Sequence, residues 1–351
     1  MTETGITPRG ETFFLNLRFL LIVCVFVGNA IEPLMGRIGG MAWLYTWIFT
    51  FHMPLFVFVT GYFAKANLLG EAGRKVLLQI GLQYVIFQSL YSLLDAAVFH
   101  VNGIHRSFFA PYLLLWFLAS HLGWRLMQLM LRKWPALHQL AFSIALAVLA
   151  GYLPVDGSWL SLSRTFVYLP FFIAGYHFSF ERMERLLTRK VRLAAIALSL
   201  AWFGLIALGG ANIAPGWLYG SMTYGQLGHP EWYAGVFRLL LYPLQLFAGI
   251  VFWGFVPAKK SKVTEMGRHT LYVFLLHGFI VRLAAVSPLY AAVRSLPAAL
   301  GVVAGAVALT WLLTRRWVRM CSSPLIEPPV SWLLKLERRA FRQVGATGKH
   351  S

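Results

Sequence analysis

Ten apolar runs, each roughly 17 to 25 residues long, divide nearly the whole chain into segments long enough to cross a lipid bilayer. They cover residues 13–31, 42–63, 77–99, 112–131, 137–153, 164–180, 193–209, 234–256, 270–288 and 297–314. Only 12% of the residues are charged, whereas soluble domains carry roughly 25%. The chain is therefore predicted to be an all-α polytopic membrane helix bundle with about ten transmembrane helices.

The connecting segments alternate between rich and poor in Lys and Arg, which orients the bundle by the positive-inside rule. This pattern predicts that both termini are cytoplasmic. We expect a cytoplasmic N-terminus (1–12), a membrane domain (13–316) and a basic cytoplasmic tail (317–351) with an amphipathic helix over 330–341 lying on the membrane. The net charge of +19 then reflects topology and contact with anionic membrane lipids, not binding of nucleic acid.

An ionisable side chain, His52, lies in the middle of the apolar segment 49–63, together with the helix-interrupting residue Pro54. A polar group in hydrocarbon costs several kcal/mol unless it has partners, so such a residue marks a functional site by default. His277 repeats this situation in the ninth run. Two such histidines predict a polar cavity inside the bundle.

Other polar residues in the runs have simpler interpretations. Arg18 and Glu32 lie near opposite ends of the first run, so they cannot pair with each other, and Asn29 is on nearly the same helix face as Arg18. Asp95 is interpreted as a solvated helix end. His121 and His177 are interpreted as hydrogen-bonded core histidines.

The longest loop predicted on the external side, 210–233, is rich in glycine, aromatic and amide residues. It either folds over an external substrate, since aromatic faces and amides suit sugars, or forms an interfacial aromatic belt.

Motifs of soluble hydrolases, kinases and metalloproteases are absent, and the two cysteines have no metal-ligand spacing. We therefore expect no metal and no permanently bound cofactor. Acyl transfer and proton-coupled transport remain open.

Five segments, in order, resemble the acyltransferase-3 family of membrane acyltransferases, most closely its fucose 4-O-acetylase-like branch. They are residues 16–29 (NLRFLLIVCVFVGN), 51–63 (FHMPLFVFVTGYF), 115–118 (LWFL), 170–176 (PFFIAGY) and 267–277 (GRHTLYVFLLH). The resemblance implies O-acyl transfer, commonly O-acetyl transfer, at the plasma membrane. The donor would be cytoplasmic acetyl-CoA or another acyl-CoA, and the acceptor a hydroxyl of a cell-envelope glycan or lipid-linked sugar.

The resemblance also implies roles for individual residues. Arg18 matches the family's arginine in the first span, expected near the donor. Trp116 matches the tryptophan of the family's Trp-Phe-Leu segment and is expected, with Arg74 and Lys75, among the donor-binding residues. Arg74 and Lys75 stand where the family has a basic pair that suits the CoA phosphates. Glu32, His277 and Tyr272 are further site candidates.

One residue departs from the family pattern, because Asn29 stands where the family has its expected catalytic histidine. An amide has no proton-accepting nitrogen. Three explanations compete: His52 serves as the base, the chain binds substrates without efficient turnover, or Asn29 inactivates it. A multi-span transporter or exporter of a glycan precursor and a non-catalytic binding homologue are the alternative functions. The oligomeric state is left open.

Overall fold

The computed structural model describes residues 6–99, 107–153, 159–211 and 213–334, and these ranges contain helices and turns but no β-strand. The α-helices are α1 (Pro8–Ile31), α2 (Met41–Ala64), α3 (Gly70–Leu94), α4 (Trp116–Leu131), α5 (Ala136–Ala150), α6 (Leu162–His177), α7 (Phe180–Glu184), α8 (Arg189–Ala207), α9 (Pro215–Tyr219), α10 (Ala234–Phe252), α11 (Lys262–Arg268), α12 (Thr270–Val286), α13 (Leu289–Ala292), α14 (Leu296–Leu313) and α15 (Arg316–Ile326). The all-α prediction is confirmed for the described chain.

Shorter helical turns occur between these helices. Three 3₁₀ turns lie at Glu32–Leu34, Leu113–Leu115 and Trp253–Phe255, and a π-helical turn at Asp95–Phe99 continues α3. Helix α1 begins earlier than the apolar run that predicts it, because Pro8 occupies its first turn and Thr7 Oγ1 accepts a hydrogen bond from the Gly10 amide. Of the predicted amphipathic tail helix, residues 331–334 are helical and 335–341 lie outside the described residues.

Each of the ten apolar runs contains one long helix, but fewer than ten are long and apolar enough to span a bilayer. Six stretches of the described chain meet both conditions: Pro8–Leu34, Met41–Ala64, Gly70–Val98, Arg189–Ala207, Ala234–Phe255 and Leu296–Leu313. Helices α11 and α12, bent at 71°, make a seventh if they form one span. The structure thus supports a polytopic membrane bundle, while ten spans and cytoplasmic termini stay predictions.

Helix α2 lies at the centre of the bundle and packs against α1, α6, α8, α9 and α10. Helix α1 packs against α2 on one side and against α11, α12 and α14 on another. A large hydrophobic core joins these helices, and a second cluster fills the space between α3, α4 and α12. Helices from the two ends of the chain therefore meet around α1.

Two glycines let α2 and α6 cross in direct backbone contact. A Cβ atom on Gly61 would overlap the carbonyl oxygen of Phe172, and one on Gly175 would overlap the carbonyl oxygen of Phe58. Close approach at small residues is a common way for membrane helices to associate, since lipid offers no hydrophobic drive between them. Both glycines belong to segments that carry the family resemblance. The close contact between the helices explains why a residue without a side chain is needed at each of these two positions.

Helix α2 runs without a break through Pro54, contrary to the expectation that this residue interrupts it. A proline removes one backbone hydrogen bond, but membrane helices tolerate it where neighbouring helices hold both sides in place. His52 and Phe56, on either side of Pro54, are both buried. The proline therefore lies inside the packed bundle and leaves α2 intact.

Candidate active site

The bundle encloses a cavity of about 300 Å³, which we call the histidine cavity. Its lining comes from α1, α2, α4, α6, α9, α12 and two 3₁₀ turns. The polar and aromatic residues that line it are Asn29, Glu32, Tyr45, Phe49, His52, Phe56, Trp116, Phe117, Arg164, Tyr168, Tyr219, Phe274 and His277. The two mid-span histidines found in the sequence thus face one cavity, together with the asparagine at the family's histidine position.

Asn29 contacts His277, with 3.2 Å between Asn29 Nδ2 and His277 Nε2. The other ring nitrogen of His277, Nδ1, lies 2.7 Å from the carbonyl oxygen of Phe274 and 3.0 Å from that of Val273. Carbonyl oxygens only accept, so Nδ1 carries the proton and Nε2 has a lone pair to which the Asn29 amide donates. His277 is therefore held with its basic nitrogen directed at Asn29.

His52 has the same backbone anchor but no equivalent of Asn29. Its Nδ1 donates to the carbonyl oxygen of Ile48 at 2.9 Å, which leaves Nε2 as the basic nitrogen. Its ring packs edge-on against Phe49, with 4.5 Å between ring centroids. Within the described ranges no side chain hydrogen-bonds to His52 Nε2.

Arg164 and Tyr219 supply further polar groups to the histidine cavity. The Arg164 guanidinium lies over the Trp116 ring, 4.9 Å from its centroid, and its Nε donates to the Tyr219 carbonyl oxygen at 3.4 Å. The Tyr45 hydroxyl donates to the Tyr219 hydroxyl at 3.0 Å. Burial raises the pKa of Tyr219, so its hydroxyl stays protonated and able to donate.

Part of the 210–233 loop covers the histidine cavity. Leu218 and Tyr219, both in α9, belong to its lining, and Tyr168 donates a 2.8 Å hydrogen bond to the Leu218 carbonyl oxygen. Trp217 packs against Tyr224 at 5.7 Å between centroids, in a small aromatic core of the loop. The loop therefore contributes part of the cavity wall, and its external position stays a prediction.

A second cavity of about 270 Å³, the arginine cavity, lies in the same bundle. Its polar lining consists of Arg18, Thr60, Asn67, Gln79, Gln83, His121 and Arg125. Arg125 is 2% exposed and its guanidinium donates to both the side-chain and the backbone oxygen of Asn67. This cavity is positively charged and rich in amides.

Three phenylalanines, Phe56, Phe117 and Phe274, line both cavities, and we call them the phenylalanine septum. The Phe117 ring lies 5.5 Å from the ring of Phe56 and 5.5 Å from that of Phe274, measured between centroids. These side chains come from α2, α4 and α12. One layer of phenyl rings therefore separates the two cavities.

The structure divides the predicted site residues among several places. Trp116, expected near the donor, lies in the histidine cavity with Asn29, Glu32, His52 and His277, while Arg18 lies in the arginine cavity. Arg74 and Lys75 are exposed at the beginning of α3, which also contributes to the arginine cavity. Tyr272 is buried in the core between α3, α4 and α12, outside both cavities.

Two interpretations made from the sequence are wrong. Asp95 is 2% exposed, not solvated, because it accepts hydrogen bonds from Tyr112 Oη and from Arg282 Nε, the latter at 3.1 Å. His121 lines the arginine cavity, and its buried Nε2 has no partner within the described chain. His177 bonds Gln139 as expected, but its side chain is exposed and does not belong to the core. Whether Asp95 and His121 find hydrogen-bond partners depends on helices that are remote from them in sequence.

Sequence reasoning also missed Arg125 and Arg164 as site residues. Both were visible only as charges near the ends of apolar runs, where snorkelling to the headgroups explains them equally well. The charge within a predicted span is the one signal that pointed to them.

Among the described residues, no group of three His, Cys, Asp or Glu side chains could hold a metal ion.

Within the described residues, apolar helices long enough to span a bilayer pack around two cavities that carry polar side chains, which is the architecture of a polytopic membrane protein. A protein-family profile described as "Acyltransferase domain" matches residues 13–315. The chain therefore belongs to this family of membrane acyltransferases, and its class is a transferase of acyl groups other than amino-acyl groups. The resemblance seen in the motifs is confirmed at the family level.

One curated protein matches the chain in sequence. "Nodulation protein NolL" of Sinorhizobium fredii (strain NBRC 101917 / NGR234) is 26% identical over 218 residues, which is 57% of this chain and 57% of that protein. The chain thus spans little more than half the length of this relative. No solved structure matches the present chain.

Proposed function

We propose that this protein is an integral-membrane O-acyltransferase of the plasma membrane. It moves an acyl group, acetyl in the first instance, from cytoplasmic acyl-CoA to a hydroxyl of a cell-envelope glycan or lipid-linked sugar. The observation that carries the proposal is the pair of cavities, each with a few polar side chains in a mainly apolar lining, that meet at the phenylalanine septum. Family membership supplies the reaction, and the two cavities supply separate chambers for the two substrates.

The arginine cavity suits the acyl-CoA donor. Arg18 and Arg125 provide positive charge, and the amides of Asn67, Gln79 and Gln83 match the amide-rich arm that carries the thioester. At the exposed beginning of α3, Arg74 and Lys75 suit the CoA phosphates, since cations form strong charge-assisted hydrogen bonds with phosphate oxygens. In this orientation the arginine cavity is the cytoplasmic chamber.

The histidine cavity suits a sugar hydroxyl. Trp116, Tyr168 and Tyr219 offer flat aromatic faces, and Arg164 and Glu32 offer hydrogen-bonding groups. A volume of about 300 Å³ lies at the small end of ligand pockets. The cavity therefore has room for a single sugar ring that carries the acceptor hydroxyl.

The reaction needs a base at the acceptor hydroxyl. Either neutral histidine can take the hydroxyl proton on Nε2 while the hydroxyl oxygen attacks the thioester carbonyl carbon. A C–O bond forms, the C–S bond breaks, and the leaving CoA thiolate takes the proton from the imidazolium. The products are the O-acyl ester and CoA.

The test is to reconstitute the purified protein in lipid vesicles with acetyl-CoA labelled in its acetyl group. The acceptor probes are methyl glycosides of common hexoses and 6-deoxyhexoses and a lipid-linked glycan extract. We expect label in an ester on at least one probe and saturable binding of acetyl-CoA. Binding without transfer to any probe would favour the non-catalytic alternative.

Transport is distinguished in the same vesicles. Accumulation of a probe glycoside inside them, driven by a pH gradient and leaving the glycoside unmodified, would favour a transporter. Absence of both acetyl-CoA binding and label transfer would overturn the acyltransferase proposal.

A further inference from the structure

We infer that His277, and not His52, is the general base of the acyl transfer, and that Asn29 is its positioning residue. This inference rests on the proposed function and names the group that carries the proton. It also gives Asn29 a role in turnover, although Asn29 cannot itself accept a proton.

The tautomer of His277 is determined by its backbone contacts. With two carbonyl oxygens within 3.0 Å of Nδ1, that nitrogen keeps its proton and Nε2 is the basic atom. The side chain is 0% exposed, so Nε2 meets few groups apart from Asn29 and the cavity. His277 is therefore prepared as a neutral base before the acceptor arrives.

Asn29 distinguishes His277 from His52. Both histidines donate from Nδ1 to a backbone carbonyl and both line the same cavity, so these features do not separate them. Proton transfer converts a neutral imidazole into an imidazolium in an apolar bundle, where an uncompensated charge is costly. Only His277 has an amide beside its Nε2, at 3.2 Å, among the residues that the structure describes.

An asparagine can serve both protonation states of this base. Its Nδ2 donates to Nε2 while the histidine is neutral, and after a half-turn of the amide its Oδ1 accepts from the protonated Nε2. The acceptor hydroxyl displaces the amide from the Nε2 lone pair before proton transfer, and Oδ1 accepts from Nε2–H only after the hydroxyl oxygen has bonded to the thioester carbon. Asn29 thus aligns the base and then stabilises the imidazolium.

His277 also lies next to the septum through which the two substrates meet. Its ring centroid is 6.2 Å from that of Phe274, a septum residue on the same helix. A hydroxyl bonded to Nε2 is therefore on the acceptor side, within about one side chain of the septum. This position is where attack on a thioester from the arginine cavity is expected.

A matched pair of variants tests the choice of base. His277→Gln and His52→Gln each replace a buried imidazole by an amide of similar size, so a folding effect should be similar in both. We expect His277→Gln to lower kcat by about 10²- to 10⁴-fold, as loss of a general base does, with acetyl-CoA binding retained. His52→Gln should lower kcat less than tenfold. The reverse ranking would overturn the inference and leave the proposed function standing.

The role of Asn29 is tested by the pH–rate profile of Asn29→Asp. A carboxylate beside Nε2 favours the imidazolium, so the base stays protonated to higher pH and the acidic limb of the profile moves to higher pH. Asn29→Leu, which removes the amide without adding charge, should not move the limb in that direction. An unmoved limb in Asn29→Asp would contradict the pairing with His277.

Other titratable groups face the same cavity and need a control. They are Glu32, Tyr45, His52, Arg164, Tyr168 and Tyr219. Glu32→Gln separates the one carboxylate of this set from the base: the acidic limb should persist in this variant. Its disappearance would assign the limb to Glu32 and overturn the inference.

An NMR titration of the histidines needs no enzymatic turnover, so it tests the pairing of Asn29 with His277 independently of the proposed acyl transfer. In protein labelled with ¹⁵N-histidine, His277 is assigned by its loss in His277→Gln, and its titration should move in Asn29→Asp while that of His52 stays. A shift of His52 alone would overturn the pairing. Failure of the parent protein to transfer label is instead a failure of the proposed function.

Discussion

At the scale of single residues, the polar groups of this membrane protein are arranged by contacts that leave few degrees of freedom. Each cavity histidine is tied to its own helix through Nδ1, so its tautomer and ring orientation are determined before any substrate binds. Arg164 is held over Trp116 and also donates to a loop carbonyl. For the acceptor hydroxyl of the proposed reaction, we expect such preorganisation to lower the cost of positioning.

Replacement of Arg164 by lysine tests the guanidinium contact with Trp116. Lysine keeps the charge but loses the planar group that stacks on an aromatic ring, so acceptor binding should weaken. We expect KM for the acceptor to rise about tenfold, which corresponds to the roughly 1–2 kcal/mol of a desolvated cation–π contact, with KM for acetyl-CoA little changed. Steady-state kinetics with each substrate varied in turn checks this.

Arg238→Lys is the matched control, because Arg238 stacks on Trp217 at 5.5 Å and lies outside the cavity lining. It should affect thermal stability and leave KM for the acceptor near the parent value. Equal changes in KM from both variants would argue against a direct role for Arg164 in acceptor binding.

At the scale of helices, the crossing of α2 and α6 positions the site, since α2 carries His52 and α6 carries Arg164. The two helices touch through Gly61 and Gly175, whose missing side chains admit the backbone of the partner helix. Separation of the two helices would widen the histidine cavity. The motifs that hold these glycines thus support the cavity through packing.

Gly175→Ala should destabilise the protein by about 2 kcal/mol, since an added methyl group has no space and overpacking typically costs about 1–3 kcal/mol. Gly61→Ala should behave similarly. Gly81→Ala is the control, because Gly81 lies in α3 with nothing within 4 Å of an added Cβ. That change should be neutral or stabilise by about 0.4–1 kcal/mol. Thermal unfolding in a fixed detergent measures all three.

Part of this arrangement could be predicted from the sequence. The lengths of the apolar runs predicted the long helices, and each run contains one. The cost of burying an imidazole in an apolar span pointed to His52 and His277. Arg125 in its cavity and the buried ion pair of Asp95 were missed. Their partners come from other helices, and no local pattern says which faces of two helices meet.

At the scale of the whole molecule, the septum divides one bundle into two chambers. Phe56, Phe117 and Phe274 come from three helices that are far apart in sequence. Under the proposed function, we expect this layer of phenyl rings to keep water in one chamber from a thioester bound in the other and so to limit hydrolysis of the donor.

Phe117→Ala should open the septum and raise the ratio of free acetate to transferred acetyl severalfold, measured with labelled acetyl-CoA in vesicles. Phe252→Ala is the control: it removes a buried phenyl ring from the core, at a comparable cost of about 3–5 kcal/mol, without touching either cavity. A rise of the same size in both variants would show general loosening and contradict a barrier role for the septum.

The sequence by itself determined the helical membrane bundle, the two cavity histidines His52 and His277, and the family to which the chain belongs. Only the tertiary structure decided that Asn29 meets His277, 248 residues away, and that Trp116 lies with Arg164 in the histidine cavity. The physical reason is one of range. Hydropathy and helix geometry act over a few turns, whereas contacts between distant helices depend on how each helix is rotated and crossed in the packed bundle.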